Sequence, residues 1–280
     1  MKQAARKRII LEVLMWVGTL VVIIPYLLVL LTSFKNRREA GQFQLTLPTE
    51  WHIIDNYRTI FEKGNVLLGL WNSIFIAVIA VSIILLTSML LSYYIGRANS
   101  ISSKHSKFTS FLYIFLLLGM TAPISLVTTY QLLTRLNLIG TQLGVIFIFA
   151  GSVIPFATFI FVGFFKTIPR ELDEAAVIDG CGPVRLFFVI IMPLLKPVTF
   201  TCFILVFLGV WNDAQTVLFF VGNSDNWTMP LMIYRFFGYY HTEWNLIFGS
   251  VLLSSMPIII VYLFGQRYII EGMVAGSVKG

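Results

Sequence analysis

Two stretches of this 280-residue chain hold side chains whose types and spacing can do work. The first is Thr167-Ile168-Pro169-Arg170-Glu171-Leu172-Asp173-Glu174-Ala175-Ala176-Val177-Ile178-Asp179-Gly180. It reads as a short helix with Thr167 as cap, Pro169 in the first turn, and Glu171, Asp173 and Glu174 near the positive end of the helix dipole. Gly180 stops it, because the stop position takes a positive φ that glycine adopts at little cost. A second helical run starts at Pro183 and stops at Pro193, which makes a helix–Gly–helix elbow. Leu172, Ala175, Ala176 and Asp179 fall at i, i+3, i+4 and i+7 on one face, and the alanines keep that face slim enough to enter a groove. Glu174 is placed for charge-assisted contacts with a partner. The second stretch is Trp211-Asn212-Asp213. An indole face can cover the C–H surface of a pyranose while amide and carboxylate bond its hydroxyls. Asp213 is an acid deep in an apolar run, where an ionisable group points to function; the alternative is a structural carboxylate near the end of that run. Asn245, Gln215, Tyr130 and Gln131 are secondary candidates for the same role.

Other chemistries lack their parts. No Gly-x-x-x-x-Gly-Lys-Ser/Thr phosphate loop is present, nor an acid pair or a nucleophile–base set. His52, His105 and His241 are scattered in loops. Cys181 and Cys202 have no metal-ligand spacing and no disulfide context. The sequence therefore predicts no catalytic residue, no metal site, no bound cofactor and no hydrolysis by the chain itself.

With 58% hydrophobic and 12% charged residues, the composition excludes a soluble domain, which would be about 25% charged. The net charge of +7 is explained by basic residues fringing membrane spans rather than by nucleic-acid binding. Apolar blocks of about 20 residues recur, each long enough for a bilayer core of about 30 Å. They predict an all-α, polytopic membrane protein with six transmembrane helices, near residues 9–32, 67–95, 108–133, 142–165, 197–221 and 244–264. Pro25, Pro123, Pro155 and Pro257 fall inside these spans as kinks. The elbow occupies residues 166–196 and a tail 266–280. Residues 33–65 form a polar segment long enough for small helices, and residues 222–243 an aromatic loop. The basic start leads into an apolar run too long for a signal peptide, so it reads as an uncleaved first span. Thirteen of the twenty Lys and Arg flank the termini, the Gly96–Lys107 loop and the elbow, against seven on the other side. The excess places both termini and the elbow in the cytoplasm. The Lys35-Asn36-Arg37-Arg38 cluster is the exception to that rule. No internal repeat stands out, which counts against an inverted-repeat carrier.

From Glu174 the pattern is Glu-Ala-Ala, three residues, Gly180, nine residues, Ile190, one residue, Met192 and Pro193. It resembles the EAA loop of bacterial ABC importer permeases, whose pattern has Leu where this chain has Met192. The ending Gly272-Met273-Val274-Ala275-Gly276-Ser277-Val278-Lys279-Gly280 is similar to that of carbohydrate ABC permeases, and within them to the type of the maltose system's second permease. The resemblance implies one permease domain over residues 1–280 in a bacterial cytoplasmic membrane, with a cytoplasmic coupling loop. It implies that Glu171, Leu172, Glu174, Ala175, Ala176, Asp179, Gly180 and Pro193 receive motion from an ATPase. It also carries the tail's role at the ATPase interface to Gly272, Ala275, Gly276, Lys279 and Gly280, where a plain frayed terminus would look alike. The expected partners are a second, related permease forming a heterodimer, two copies of a cytoplasmic ATPase that use ATP and Mg, an extracytoplasmic sugar-binding protein and membrane lipid. Trp211, Asn212 and Asp213 would line the substrate path. The alternatives are an importer of an amino acid or phosphate compound, and an ion-coupled secondary carrier.

Overall fold

The computed structural model describes residues 2–97, 103–122, 124–238 and 241–277. Among these the chain is helical nearly throughout, with no strand and one isolated antiparallel bridge, Phe237 to Thr242. Four helices are long and apolar enough to cross a membrane: α1 (Lys2–Phe34), α4 (Val66–Arg97), α7 (Gln142–Phe165) and α14 (Trp244–Ser277). Many of their large apolar side chains point outward, among them Leu14, Trp16, Leu67 and Phe264. Hydrocarbon around such helices satisfies those side chains and leaves the backbone to bond within each helix.

The other two expected spans are broken: the third is a bent pair, and at the fifth the bent pair takes in the second half of the elbow. The third, expected to run straight through residues 108–133, is α5 (Ser103–Thr121) followed by α6 (Leu126–Arg135), with an angle of 114° between the apolar parts. Ser125 starts α6 afresh: its hydroxyl accepts the Thr128 N–H at 3.5 Å and pairs with the Thr128 hydroxyl at 2.8 Å. Pro123, expected to kink the span, lies outside the described residues. Pro25, Pro155 and Pro257 sit inside unbroken helices. The fifth, expected over residues 197–221, is interrupted at Asp213, between α11 (Lys196–Asn212) and α12 (Ala214–Phe220). Its break at the elbow side is a 75° bend between Pro183–Leu194 and Lys196–Asn212. The described residues thus hold four helices long and apolar enough to span, or up to six when each bent pair counts as one. At the other end α14 runs through Ser277, so residues 266–277 continue the helix instead of forming a separate tail.

The chain divides into two compact units, Met1–Leu70 with Met229–Pro257, and Trp71–Thr228 with Ile258–Gly280. In the first, the polar segment forms the expected small helices, α2 (Arg37–Ala40) and α3 (Ile53–Gly64). The end of α1 is closed by Asn56, whose amide donates to the carbonyls of Ser33 and Lys35, both at 2.9 Å. Asn56 Oδ1 accepts from the Asn245 amide at 2.8 Å. Asn245, a secondary candidate for the substrate path, is thus a buried structural amide. The Lys35 ammonium, 2% exposed, donates to the Gln44 carbonyl at 2.7 Å and the Thr46 hydroxyl at 3.1 Å. It is spent on holding its own segment, so only Arg37 and Arg38 of that cluster remain at the surface. Gly249 allows α14 and α3 to touch, since a Cβ there would stand 2.5 Å from Ile60 Cδ1. Asn56→Ala strips partners from two helix-end carbonyls and from Asn245. It should cost about 2–3 kcal/mol, read as a fall of roughly 4–8 °C in the thermal midpoint of the purified protein.

In the second unit, α7 packs between α5 and α11. Its core includes Val81 and Ile84 of α4, Phe161 and Phe165 of α7, and Cys202 and Ile204 of α11. Asn72 pins the loop beyond α12 by donating to the carbonyls of Asp225 at 2.7 Å and Trp227 at 3.0 Å, while accepting from Gln142 at 2.8 Å.

Candidate functional site

The elbow lies in the second unit. The chain leaves α7 at Phe165, and Thr167 turns its hydroxyl back to the Phe164 carbonyl at 2.8 Å. Thr167 is therefore not the cap expected of it. Arg170 occupies the cap position in helical conformation and without a side-chain cap bond. The short helix α8 runs Glu171–Ile178, with Glu171, Asp173 and Glu174 in its first turn as expected. It ends as the glycine predicts. Gly180 has φ +74°, the Cys181 N–H donates to the Ala176 carbonyl at 2.9 Å, and the Gly180 N–H donates to the Val177 carbonyl at 3.0 Å. These two bonds close a Schellman stop.

The packing divides the face expected to enter a groove. Ala176 is 5% exposed and belongs to the elbow's own interior. Leu172, Ala175 and Asp179 stay exposed. The outward apolar surface gains Val177, Val184 and, at 85% exposure, Ile178. Beyond Gly182, α9 (Pro183–Arg185) opens with Pro183 and passes into a π-helical segment, Leu186–Ile191. α10 (Met192–Leu194) follows. Pro193 has no N–H and its ring crowds the carbonyl four residues back, so the wider winding before it accommodates the proline without stopping the helix. The run ends one residue later, and the turn falls at buried Leu195, whose N–H is shared between the carbonyls of Ile191 and Met192 at 3.2 Å each.

What holds the elbow is a residue the sequence did not single out. Arg97, at the end of α4, forms an ion pair with Asp173, their side chains 13% and 16% exposed. Its terminal nitrogens also reach the carbonyls of Ile168 and Pro169 and Asp173 Oδ1, each at 3.4 Å. Its guanidinium carbon stands 4.9 Å from the centre of the Phe165 ring. Tyr93, one helical turn earlier, meets Phe165 edge-on at 5.8 Å and Phe187 of the π-helical segment at 5.3 Å. The planar fork of arginine serves this site because it holds a carboxylate and neighbouring carbonyls while stacking on a ring. α4, the end of α7 and both halves of the elbow therefore meet at one root. The sequence offered Arg97 only as one basic residue of a short loop, because its partner lies 76 positions away.

Trp211, Asn212 and Asp213 stay adjacent, but their side chains take different tasks. Trp211 is 2% exposed and lies against Phe207 in a tilted ring pair at 5.4 Å. Asn212 is exposed and donates to the Leu208 carbonyl at 3.0 Å. Asp213 caps α12: Oδ1 accepts the Thr216 N–H at 2.8 Å and Oδ2 the Thr216 hydroxyl at 2.7 Å. Tyr130, Gln131 and Gln215 are exposed. Gly272, Ala275 and Gly276 lie in the last turns of α14, while Lys279 and Gly280 lie outside the described residues. Among the described residues no three His, Cys, Asp or Glu stand together in a way that could hold a metal ion.

Residues 88–274, which include the whole elbow, match the family described as binding-protein-dependent transport system inner membrane component. The "Probable starch degradation products transport system permease protein" of Thermoanaerobacterium thermosulfurigenes is 31% identical over 271 residues, covering 95% of this chain and 93% of the relative. The multiple sugar-binding transport system permease protein of Streptococcus mutans is 32% identical over 273 residues, covering 95% of each. In fold, the chain is similar to one in the crystal structure of a bacterial ABC transporter involved in the import of the acidic polysaccharide alginate. The TM-score is 0.78 at 18% identity, over 93% of this chain and 95% of that one.

Proposed function

Since the chain belongs to the family of binding-protein-dependent transport system inner membrane components, we propose that it is the membrane-spanning permease subunit of an ATP-driven carbohydrate importer. The observation that carries the mechanism is the elbow: an acidic helix closed by Gly180 at φ +74° and tied to the end of α4 through Arg97 and Asp173. A soluble engine needs such a knob, rigid enough to be pushed and rooted in the helices that must move.

In this reading the chain is one domain that crosses the bacterial cytoplasmic membrane six times, the third span being the bent pair of α5 and α6 and the fifth starting at Lys196, with both termini and the elbow in the cytoplasm. A second, related permease completes the path. Two copies of an ATPase subunit bind ATP and Mg and close on the two elbows, and an extracytoplasmic binding protein delivers the sugar. Glu171, Leu172, Glu174, Ala175, Asp179 and Gly180 meet the ATPase, joined by Val177, Ile178 and Val184. Ala176 and Pro193 set the elbow's shape. The end of α14, with Gly272, Ala275 and Gly276, reaches the same ATPase interface, and so do Lys279 and Gly280 after it. The helix break at Trp211, Asn212 and Asp213 belongs to the path, with exposed Asn212 as its solute-facing side chain. The sugar-transport relatives favour a saccharide over an amino acid or phosphate compound. An ion-coupled carrier would need an available acid within the membrane, and both oxygens of Asp213 are engaged by Thr216.

The test is purification of the tagged chain from its native membrane, followed by reconstitution into vesicles with whatever co-purifies. An ATPase and a second permease should accompany it, and saccharide uptake should require ATP together with the binding protein. Uptake driven by an ion gradient without ATP would overturn the reading.

A further inference from the structure

Arg37 and Arg38 have no part in the account above. They border a cavity of about 590 Å³ in the first unit, lined by Arg37, Arg38, Gly41, His241, Thr242 and Trp244. None of the six is acidic. Among the described residues neither guanidinium is paired with a carboxylate. Glu39, on the same short helix, is turned to Thr49, whose hydroxyl and N–H it accepts, the latter at 3.4 Å. Glu243 borders the site in sequence but is not part of its lining.

The wall opposite the arginines is held in place. Trp244 meets Phe43 edge-on at 4.8 Å and stands 5.9 Å from both Phe237 and Phe248. Buried Lys35 fixes the chain on the arginine side by bonding to Gln44 and Thr46. The position is equally specific. The apolar span Ile10–Phe34 ends three residues before Arg37, and Trp244 is the first residue of the apolar span Trp244–Gln266. The cavity therefore lies at the rim where two membrane helices leave the hydrocarbon. That is the depth at which lipid headgroups lie and at which tryptophan accumulates.

We propose that this cavity binds the phosphodiester headgroup of an anionic phospholipid, with Arg37 and Arg38 on the phosphate oxygens and the Trp244 ring against the glycerol backbone. Arginine suits the role because its planar fork holds two phosphate oxygens at once. A dissolved anion would gain the same charge contact but nothing from the apolar rim. The site works in either leaflet and does not rest on the assignment of a transported solute. It also accounts for two arginines on a side where the charge rule disfavours them, since lipid phosphate neutralises them there.

The experiment uses the purified complex in neutral detergent, with phosphatidylglycerol or phosphatidylcholine added. Retained lipid is read by native mass spectrometry and stability by thermal midpoint. The intact complex should retain phosphatidylglycerol in preference to phosphatidylcholine and gain stability from it. The double variant Arg37→Gln/Arg38→Gln should bind it roughly thirtyfold more weakly, at about fivefold for each cation near the surface. Arg37→Lys/Arg38→Lys, which keeps the charge but loses the fork, should fall between them. Should the glutamine pair fail to assemble, Arg38→Gln alone should show about a fivefold loss. Equal retention of both lipids by the intact complex, or unchanged phosphatidylglycerol binding in the variants, overturns the proposal. Displacement of the lipid by millimolar inorganic phosphate or glucuronate would reassign the cavity to a dissolved anion.

Discussion

Gly180→Val is expected to cut ATP-driven uptake at least tenfold while the protein still reaches the membrane, and Gly180→Asn is expected to keep at least half of it. The contrast follows from the backbone alone. A Cβ at Gly180 would meet no atom within 4 Å, so the site has room for a side chain. What it lacks is tolerance of one at φ +74°. A residue with a Cβ costs roughly 1–2 kcal/mol in the left-handed region, more when β-branched, and asparagine is among the few that enter it readily. At about 1.4 kcal/mol per factor of ten, valine shifts the population away from the closed elbow by an order of magnitude or more. The bonds from Cys181 to Ala176 and from Gly180 to Val177 then open, and α8 no longer presents Ile178 and Leu172 at a fixed angle. ATP hydrolysis by the assembled complex should persist without its link to solute movement. Uptake and ATPase rates measured together on vesicles decide the matter. Equal damage from asparagine and valine would show that bulk, not conformation, matters at this position.

Arg97→Ala is expected to be as damaging, by a different route. It leaves the Asp173 carboxylate with its surroundings intact and its counter-charge gone. Breaking a largely buried ion pair from one side costs about 3 kcal/mol. The loss also releases the carbonyls of Ile168 and Pro169 and the Phe165 ring, so the elbow detaches from α4. Arg97→Lys should recover little, because a point charge does not hold several acceptors and a ring together. The exchange Arg97→Asp/Asp173→Arg should restore part of the coupling, measured as solute moved per ATP hydrolysed. A purely structural contribution to folding would change the amount of complex and leave that ratio unaltered.

These two positions also show what a reader of the sequence could and could not see. Gly180 was legible because its task is local: a helix that ends in glycine ahead of a proline-bounded run leaves few other readings. The acidic first turn was legible for the same reason. Thr167 misled, since a threonine two residues before a proline looks like a cap but can equally bond backward to Phe164. The helix breaks at Ser125 and Asp213 were hidden from apolar run length, which scores hydrocarbon and does not register where a helix restarts. Their traces were nevertheless present. Ser125 and Thr128 open α6, and Asp213 and Thr216 open α12, both with the cap residue three positions before its partner. At Asp213 an acid in an apolar run suggests solute chemistry, and the same residue also restarts a helix, which run length does not register. Arg97 left no local trace. Its meaning depends on Asp173, Phe165 and two carbonyls brought to it only by the packing of α4 against the elbow.

The most direct measurement is site-specific cross-linking from the elbow in the intact complex. Ile178→Cys is introduced with the native Cys181 replaced by serine, leaving Cys202 buried in α11. Leu47→Cys in the same background serves as the control, an exposed position in the segment assigned to the extracytoplasmic side. With a short bifunctional reagent, Ile178→Cys should give a covalent adduct with the ATPase subunit, and its yield should change when ATP is bound. Leu47→Cys should give none. No ATPase adduct from position 178 in a complex that still imports, or an adduct from position 47, would contradict the assignment of the elbow as the point where ATP-driven motion enters the membrane.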